Sequence, residues 1–386
     1  MKYLCSIIFV LISYSVVFGE SIHDDLNHMS LNMYNELAKK HKGHVKNFVY
    51  SPYPVADILG LLSIGARGET ASQIKSVLTM NLTDEKIGKE FKVLGKSLRS
   101  SDKISIQTAE KMYVAEGLVI EPEFVKVAHD SFDAGVENIN FADSKAATKS
   151  INSWVEKQTN NKIKNIIPEN TLDDLTRLVL VNTLYFKGNW EHPFKLSATS
   201  KAKFHNTKSE SVDVDMMKLS ATLQIGKDDS FGVSILRLPY EDDKAELLII
   251  LPNEIERFKP IENQLEKLWD IQNYTSTRVS VFLPRFRVES TMNLIPLLKN
   301  MGIKLLFEGA DLKGITKEPI GVSAFQQKAF IDVDEFGTEA GAAAAAIADN
   351  RAVLEEPSEV FRVDHPFMFT LMYDGLEIMS GRVEKL

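Results

Sequence analysis

Cysteine is all but missing from this chain, which carries one, Cys5. It lies in a segment that reads as a secretory signal, so the mature product is expected to have none. Disulfides, thiolate nucleophiles and cysteine-held metals are then excluded, and the fold must rest on a core large enough to stand without staples. The segment spans residues 1–19: Lys2, an apolar stretch from Leu4 to Phe18, and Val17-Phe18-Gly19 as a small-residue cleavage site. The stretch is interrupted by Ser6, Ser13, Tyr14 and Ser15 and is too short to span a bilayer comfortably, and no later run is long and apolar enough to do so. A secreted, extracellular product starting near Glu20 is the expectation, with no membrane partner.

Catalytic signatures are missing as well. There is no Gly-x-Ser-x-Gly elbow, no His-Glu-x-x-His helix, no phosphate-binding glycine loop and no Gly-x-Gly-x-x-Gly fingerprint. The eight histidines are scattered, with no pair at metal-ligand spacing supported by a carboxylate. No catalytic residue, metal site or cofactor is therefore assigned, and a hydrolase triad built from distant positions has nothing pointing to it. An excess of positive charge is lacking too: 53 acidic against 45 basic residues give a net charge of -8, which argues against non-specific nucleic-acid binding.

What is present suits an ordinary globular protein, with 44% apolar and 25% charged residues over 386 positions. Ile22, Leu26, Met29, Met33 and Leu37 share one helical face. Thr70–Met80 and Thr83–Arg99 read as helices, the second capped by Thr83 or Asp84. Leu178–Tyr185, Glu246–Leu251 and Val279–Leu283 read as buried strands, the last ended by Pro284. From Phe361 to Val383 short apolar strands alternate with turns such as Asp374-Gly375. With no repeat and no linker, the class is α+β, one continuous domain over residues 20–386. Two sequons, Asn81-Leu82-Thr83 and Asn273-Tyr274-Thr275, are candidate glycosylation sites in an extracellular setting.

The most informative stretch is Gly337-Thr338-Glu339-Ala340-Gly341-Ala342-Ala343-Ala344-Ala345-Ala346. Read as a strand, one face carries Thr338, Ala340, Ala342, Ala344, Ala346 and Ala348, all small and none charged. No proline lies between Glu335 and Glu356, so no ladder hydrogen bond is forfeited if the segment joins a sheet. On composition alone, six alanines in seven positions suit a helix or a plain loop equally well.

The run and its flanks resemble the reactive-loop hinge of the serpins, a family of protease inhibitors, and the likeness covers nearly the whole mature chain. Asn47-Phe48-Val49-Tyr50-Ser51-Pro52 and Gly65-Ala66-Arg67-Gly68-Glu69-Thr70 look like the family's early signature. Leu180-Val181-Asn182-Thr183-Leu184-Tyr185-Phe186-Lys187-Gly188-Asn189-Trp190 is similar to the strand and turn leading to the breach, where the loop begins to insert. Leu283-Pro284-Arg285-Phe286, Ala310-Asp311-Leu312-Lys313-Gly314-Ile315 and Asp364-His365-Pro366-Phe367 follow in family order. The resemblance implies about nine helices around three β-sheets, a metastable native state and a monomer, with an exposed reactive loop over about residues 335–360. It also implies suicide inhibition, in which a protease cleaves the loop, is held as an acyl-enzyme, and is displaced when the loop inserts as a new central strand.

Family register places the donor of the acyl group sixteen positions after the hinge glutamate; from Glu335 this is Arg351, so the reactive bond is Arg351-Ala352. Shifted by one position, the cut falls at Asn350 or Ala352. A long cation before a small residue suits a trypsin-like protease with a carboxylate in its primary pocket. Thr338 and Arg351 are thirteen positions apart, so full insertion carries the scissile end roughly 43 Å from the hinge. Glu335, Gly337, Thr338, Glu339, Ala340, Gly341, Ala342 and Ala343 form the hinge by the same resemblance. Ser51, Asn182, Gln327 and Trp190 fall in the shutter and breach.

Two departures bear on loop release. Gln327 stands where the family commonly has a histidine, and Pro54 where a second serine is common; glutamine both donates and accepts hydrogen bonds but has no imidazole-like pH response. Phe336 is an apolar residue expected in an exposed position, packed over the sheet and restraining the loop.

On the Thr83–Arg99 helix, Ile87, Phe91, Leu94 and Leu98 form an apolar stripe, and Lys86, Lys89, Lys92, Lys96 and Arg99 spread over roughly 140° opposite it. The register resembles the helix that binds heparin in glycosaminoglycan-activated serpins, so a heparin-like polyanion is expected as an activator; Asp84, Glu85 and Glu90 dilute the patch. Against the inhibitor reading stand a non-inhibitory serpin serving as carrier, chaperone or storage protein, and an inhibitor of a papain-like cysteine protease. The absence of bulky, charged or proline residues on the inward hinge face argues against the first; loop sequence does not separate the second.

Overall fold

A helix from Ile22 to Lys40 (α1) opens the chain as its apolar spacing predicts, with Leu26, Met29, Met33 and Leu37 buried. The structure, a computed structural model, describes residues 22–40, 46–98, 100–270, 274–338 and 359–386. The other helices are α2 (Pro52–Gly65), α3 (Gly68–Val77), α4 (Asp84–Ser97), α5 (Pro122–Phe132), α6 (Ser144–Gln158), α7 (Phe258–Glu262) and α8 (Ile295–Met301), eight among the described residues. The strands are β1 (Phe48–Tyr50), β2 (Ile104–Ala115), β3 (Gly135–Ile139), β4 (Leu178–Asn189), β5 (Ser200–His205), β6 (Ser211–Asp228), β7 (Val233–Pro239) and β8 (Ala245–Pro252). They continue with β9 (Tyr274–Pro284), β10 (Phe286–Asn293), β11 (Ala324–Val333), β12 (Gly337–Thr338), β13 (Glu359–Arg362), β14 (Phe367–Tyr373) and β15 (Leu376–Val383).

Six strands form the central sheet in the order β10-β11-β12-β4-β2-β3. Strand β4 is buried on both faces, which explains why it reads as a continuous apolar run. Leu178, Leu180, Leu184 and Phe186 enter the main core, whereas Val179, Val181 and Tyr185 join Ile151 and Val155 of α6 in a second one. The remaining strands make a nine-stranded network joined through the long β6. That strand pairs with β5 over Ser211–Met216, with β9 over Met216–Gly226, and with β7 over Gln224–Asp228. Sharing β6 in this way links what would otherwise be two separate sheets.

Helix α2 runs through the main core, buried at every position but Ile64, as a helix apolar all round must be. Helix α4 packs on it through Phe91, whose ring approaches Gly60 so closely that a Cβ there would lie 2.6 Å away. Thr83 caps α4, accepting the Lys86 N–H at 3.4 Å. The helix expected to run to Met80 stops at Val77 instead. Thr79 turns left-handed (φ 57°), and the Met80 N–H bonds back to the Lys75 carbonyl at 3.0 Å. Asp374 and Gly375, at φ 51° and 81°, close the β14–β15 hairpin with both central residues at positive φ.

Candidate functional site

Strands β4 and β11 run parallel, and their direct ladder covers only Val179–Thr183 against Ala324–Lys328. Above it the two-residue strand β12 sits between them: Gly337 pairs with Asn189, and Thr338 with both Gly188 and Val333. Gly337 is required there by contact, since a Cβ would lie 2.0 Å from the Gly188 carbonyl oxygen. Thr338 is 2% exposed, and its Oγ1 shares a 2.5 Å hydrogen bond with the Tyr240 hydroxyl. Tyr240 in turn stacks on Trp190, with ring centroids 4.4 Å apart. Trp190 binds the turn before β12 twice, donating its backbone N–H to the Phe336 carbonyl (2.9 Å) and Nε1 to the Asp334 carbonyl (3.0 Å). Asp334 closes this turn, its Oδ1 accepting the Phe336 and Gly337 N–H groups at 2.8 and 3.2 Å. Phe336 is half-buried rather than exposed, because the turn draws its backbone under Trp190.

Glu335 is buried and held by a bidentate ion pair: Arg285 donates Nε to Oε2 at 2.8 Å and Nη2 to Oε1 at 2.6 Å, and Thr199 adds its hydroxyl at 2.5 Å. Burial works to raise this carboxyl, but the bonds from Arg285 and Thr199 outweigh it and hold it below the ordinary range. The chain is thus anchored two residues before it enters the sheet.

Lower in the same sheet, Ser51, Asn182 and Gln327 meet beneath β4 and β11. Gln327 Nε2 donates to Asn182 Oδ1 (2.9 Å) and to the Ser51 carbonyl (2.7 Å), and its Oε1 accepts the Ser51 N–H (3.1 Å). The Ser51 hydroxyl donates to the Ile378 carbonyl at 2.5 Å. Glutamine therefore uses both ends of its amide, tying α2 to both strands that must part if a further strand is to enter.

Away from the hinge, Lys86, Lys89, Lys92 and Lys96 project from α4 into solvent, opposite buried Ile87, Phe91 and Leu94. Asp84, at the start of the same helix, pairs with Lys75 of α3 at 2.7 Å. Asn81 is exposed between α3 and α4. Arg99, Asn273, Glu339, Ala340, Gly341, Ala342, Ala343, Arg351 and Ala352 lie outside the described residues.

Sequence reasoning missed the Glu335–Arg285 pair and the Tyr240 contact. Arg285 lies within a recognised block, Leu283-Pro284-Arg285-Phe286, but nothing local links it to a partner fifty positions away.

The family profile described as "Serpin (serine protease inhibitor)" matches residues 24–385. Alaserpin of Manduca sexta is 33% identical over 371 residues, covering 94% of this chain and 93% of its own. Antitrypsin of Bombyx mori is 32% identical over 362 residues, covering 92% of each. The crystal structure of Serpin48, a highly specific serpin of the insect Tenebrio molitor, superposes with a TM-score of 0.87 at 35% identity, covering 95% of this chain and 98% of that one. Family profile, full-length relatives and fold agree, and the chain belongs to the serpin family.

Proposed function

We propose that this serpin is a secreted suicide inhibitor of trypsin-like serine proteases, cleaved at Arg351-Ala352 and trapping the acyl-enzyme by inserting its hinge into the central sheet. The observation that carries the reading is the seat of Thr338, buried between β4 and β11 at the head of a run with a small-residue face. Extending β12 downward continues a strand already begun, and each added residue gains ladder bonds on both sides. Incubation with trypsin should give an SDS-resistant complex and release a peptide beginning at Ala352. Quantitative cleavage with no complex at any ratio would refute trapping.

The exposed lysines of α4 support a polyanion as accelerator. None of the four has an ion pair among the described residues, so each has its charge free for a sulfate. A heparin-like chain should raise the inhibition rate by about tenfold or more at low salt and by less at physiological salt. Bridging to a polymer-binding protease gives a bell-shaped dependence on heparin concentration. Charge reversal at Lys89, Lys92 and Lys96 should abolish the acceleration while leaving the basal rate intact; an unchanged heparin response would remove this face from the mechanism. Asn81, exposed and beside α4, is proposed to be glycosylated, as is Asn273.

A further inference from the structure

On the outer face of the strands joined by β6, two cations meet over one aromatic ring. The ladder sets Lys218 of β6, Phe282 of β9 and Arg362 of β13 side by side, with Ser220, Ser280 and Val360 in the neighbouring row of the same face. Val281 and Phe361, between these rows, turn the other way into the main core. The Arg362 guanidinium lies 3.7 Å from the Phe282 ring centroid, and Lys218 Nζ lies 5.5 Å from it. The two charges are therefore no more than about 9 Å apart, close to one screening length in physiological salt, and a ligand feels them together. Val360, beside them, is 63% exposed. Ser220 and Ser280 share a hydrogen bond of 3.1 Å, which uses one hydroxyl hydrogen and leaves the other for an outside acceptor.

The nearby carboxylates are engaged elsewhere. Glu359 pairs with Lys227 at 2.7 Å and Asp215 with Lys201 at 2.9 Å. Asp364, which feels the Arg362 charge, shares its hydrogen bond with His365 at 2.9 Å. Among the described residues neither Lys218 nor Arg362 forms an ion pair. Long stems laid over Phe282 shield its ring. Shielding gives no reason to gather two like charges and an uncovered valine on one patch of a chain whose net charge is -8. An aromatic and an aliphatic side chain flanked by cations is the make-up of a binding patch, and the partner that complements it is acidic.

We propose that this face is an exosite for the target protease, taking a carboxylate-rich surface beside the cleft that receives Arg351. The inference rests on the reactive bond placed above. Strand β13 starts at Glu359, eight positions after Arg351, so the scissile residue is tethered within about 27 Å of the start of that strand. A protease of about 200–250 residues is about 45 Å across, so with Arg351 in its pocket its rim is broad enough to reach Phe282 and the two cations. Lys218 and Arg362 then meet carboxylates, the spare serine hydrogen meets a further acceptor, and Val360 with Phe282 forms the apolar centre. Primary specificity stays with Arg351, while the choice among trypsin-like enzymes is made on this face.

Two trypsin isoforms of the same primary specificity, one anionic and one cationic, separate an exosite from bulk charge. Net charge alone, at -8, favours the cationic enzyme, whereas the exosite favours the anionic one. The wild-type chain is expected to inhibit the anionic isoform about tenfold faster at low salt, with the preference shrinking as salt is raised. Lys218→Glu combined with Arg362→Glu should abolish the preference. The equal change of charge in Lys145→Glu with Lys149→Glu, at exposed positions of α6, should keep it. No preference in the wild type, a preference that survives in the Lys218/Arg362 variant, or one lost in the α6 variant would each overturn the proposal. The same order of affinities is expected in equilibrium binding of anionic trypsin inactivated by alanine at its serine nucleophile. Binding in that order without trapping of the active enzyme would refute the inhibitor reading and leave the exosite standing; trapping with no preference would do the reverse.

Discussion

Thr338→Arg is expected to convert the inhibitor into a substrate. Thr338 faces the main core with Gly188 as its ladder partner and the Tyr240 hydroxyl on its oxygen, so a guanidinium at this position finds neither water nor a carboxylate. Placing an unpaired charge between two strands costs about 3–5 kcal/mol; the intact chain escapes it by letting residue 338 leave its seat, whereas full insertion has to bury it. Cleavage is not expected to depend on it, because the proposed scissile residue, Arg351, lies thirteen positions further on. The protease therefore still forms its acyl-enzyme, but insertion is slowed and water resolves the ester first. Titration against trypsin should show the stoichiometry of inhibition rising well above one, with cleaved chain instead of complex on a denaturing gel. Thr338→Ser, which keeps the hydroxyl, should behave as wild type. An arginine variant that traps protease mole for mole would end the insertion account.

Position 338 is legible in the amino-acid sequence because a strand that enters a crowded sheet, as proposed for this loop, has to be small on one face, and Thr338, Ala340, Ala342, Ala344, Ala346 and Ala348 are all small. Strand β4 is legible for the opposite reason, since burial on both faces demands an unbroken apolar run. What periodicity does not encode is register between distant strands. Tyr240, just past the end of β7, carries no sign of its partner until the fold sets its hydroxyl against Thr338. The same holds for Arg285, whose role as partner to Glu335 depends on β9 ending where the turn before β12 begins. Phe336 is half-buried, and its carbonyl, which any residue supplies, accepts the Trp190 N–H, a contact that side-chain character does not announce. The early end of α3 turns on Thr79 adopting a left-handed conformation, for which threonine carries no signal.

Arg351→Ala is expected to lower the rate of inhibition of a trypsin-like protease by about 10⁴-fold, because the pocket carboxylate, built to pair with a cation, is left desolvated and alone. That fold-change corresponds to about 5.4 kcal/mol in the transition state. Arg351→Lys, which keeps the charge but loses the bidentate fork, should fall between the two. The substitution is expected to touch recognition and leave the hinge as it was, since the bonds described at β12 join Thr338 to Tyr240, Glu335 to Arg285 and Trp190 to the Asp334 carbonyl. Arg351→Ala should accordingly still trap a protease whose primary pocket takes small side chains, giving an SDS-resistant complex and a released peptide that again starts at Ala352. That gain separates a specificity change from a damaged fold. If inhibition of trypsin survives Arg351→Ala but is lost on substituting Asn350, the register from Glu335 is displaced by one residue and the reactive bond has to be moved with it.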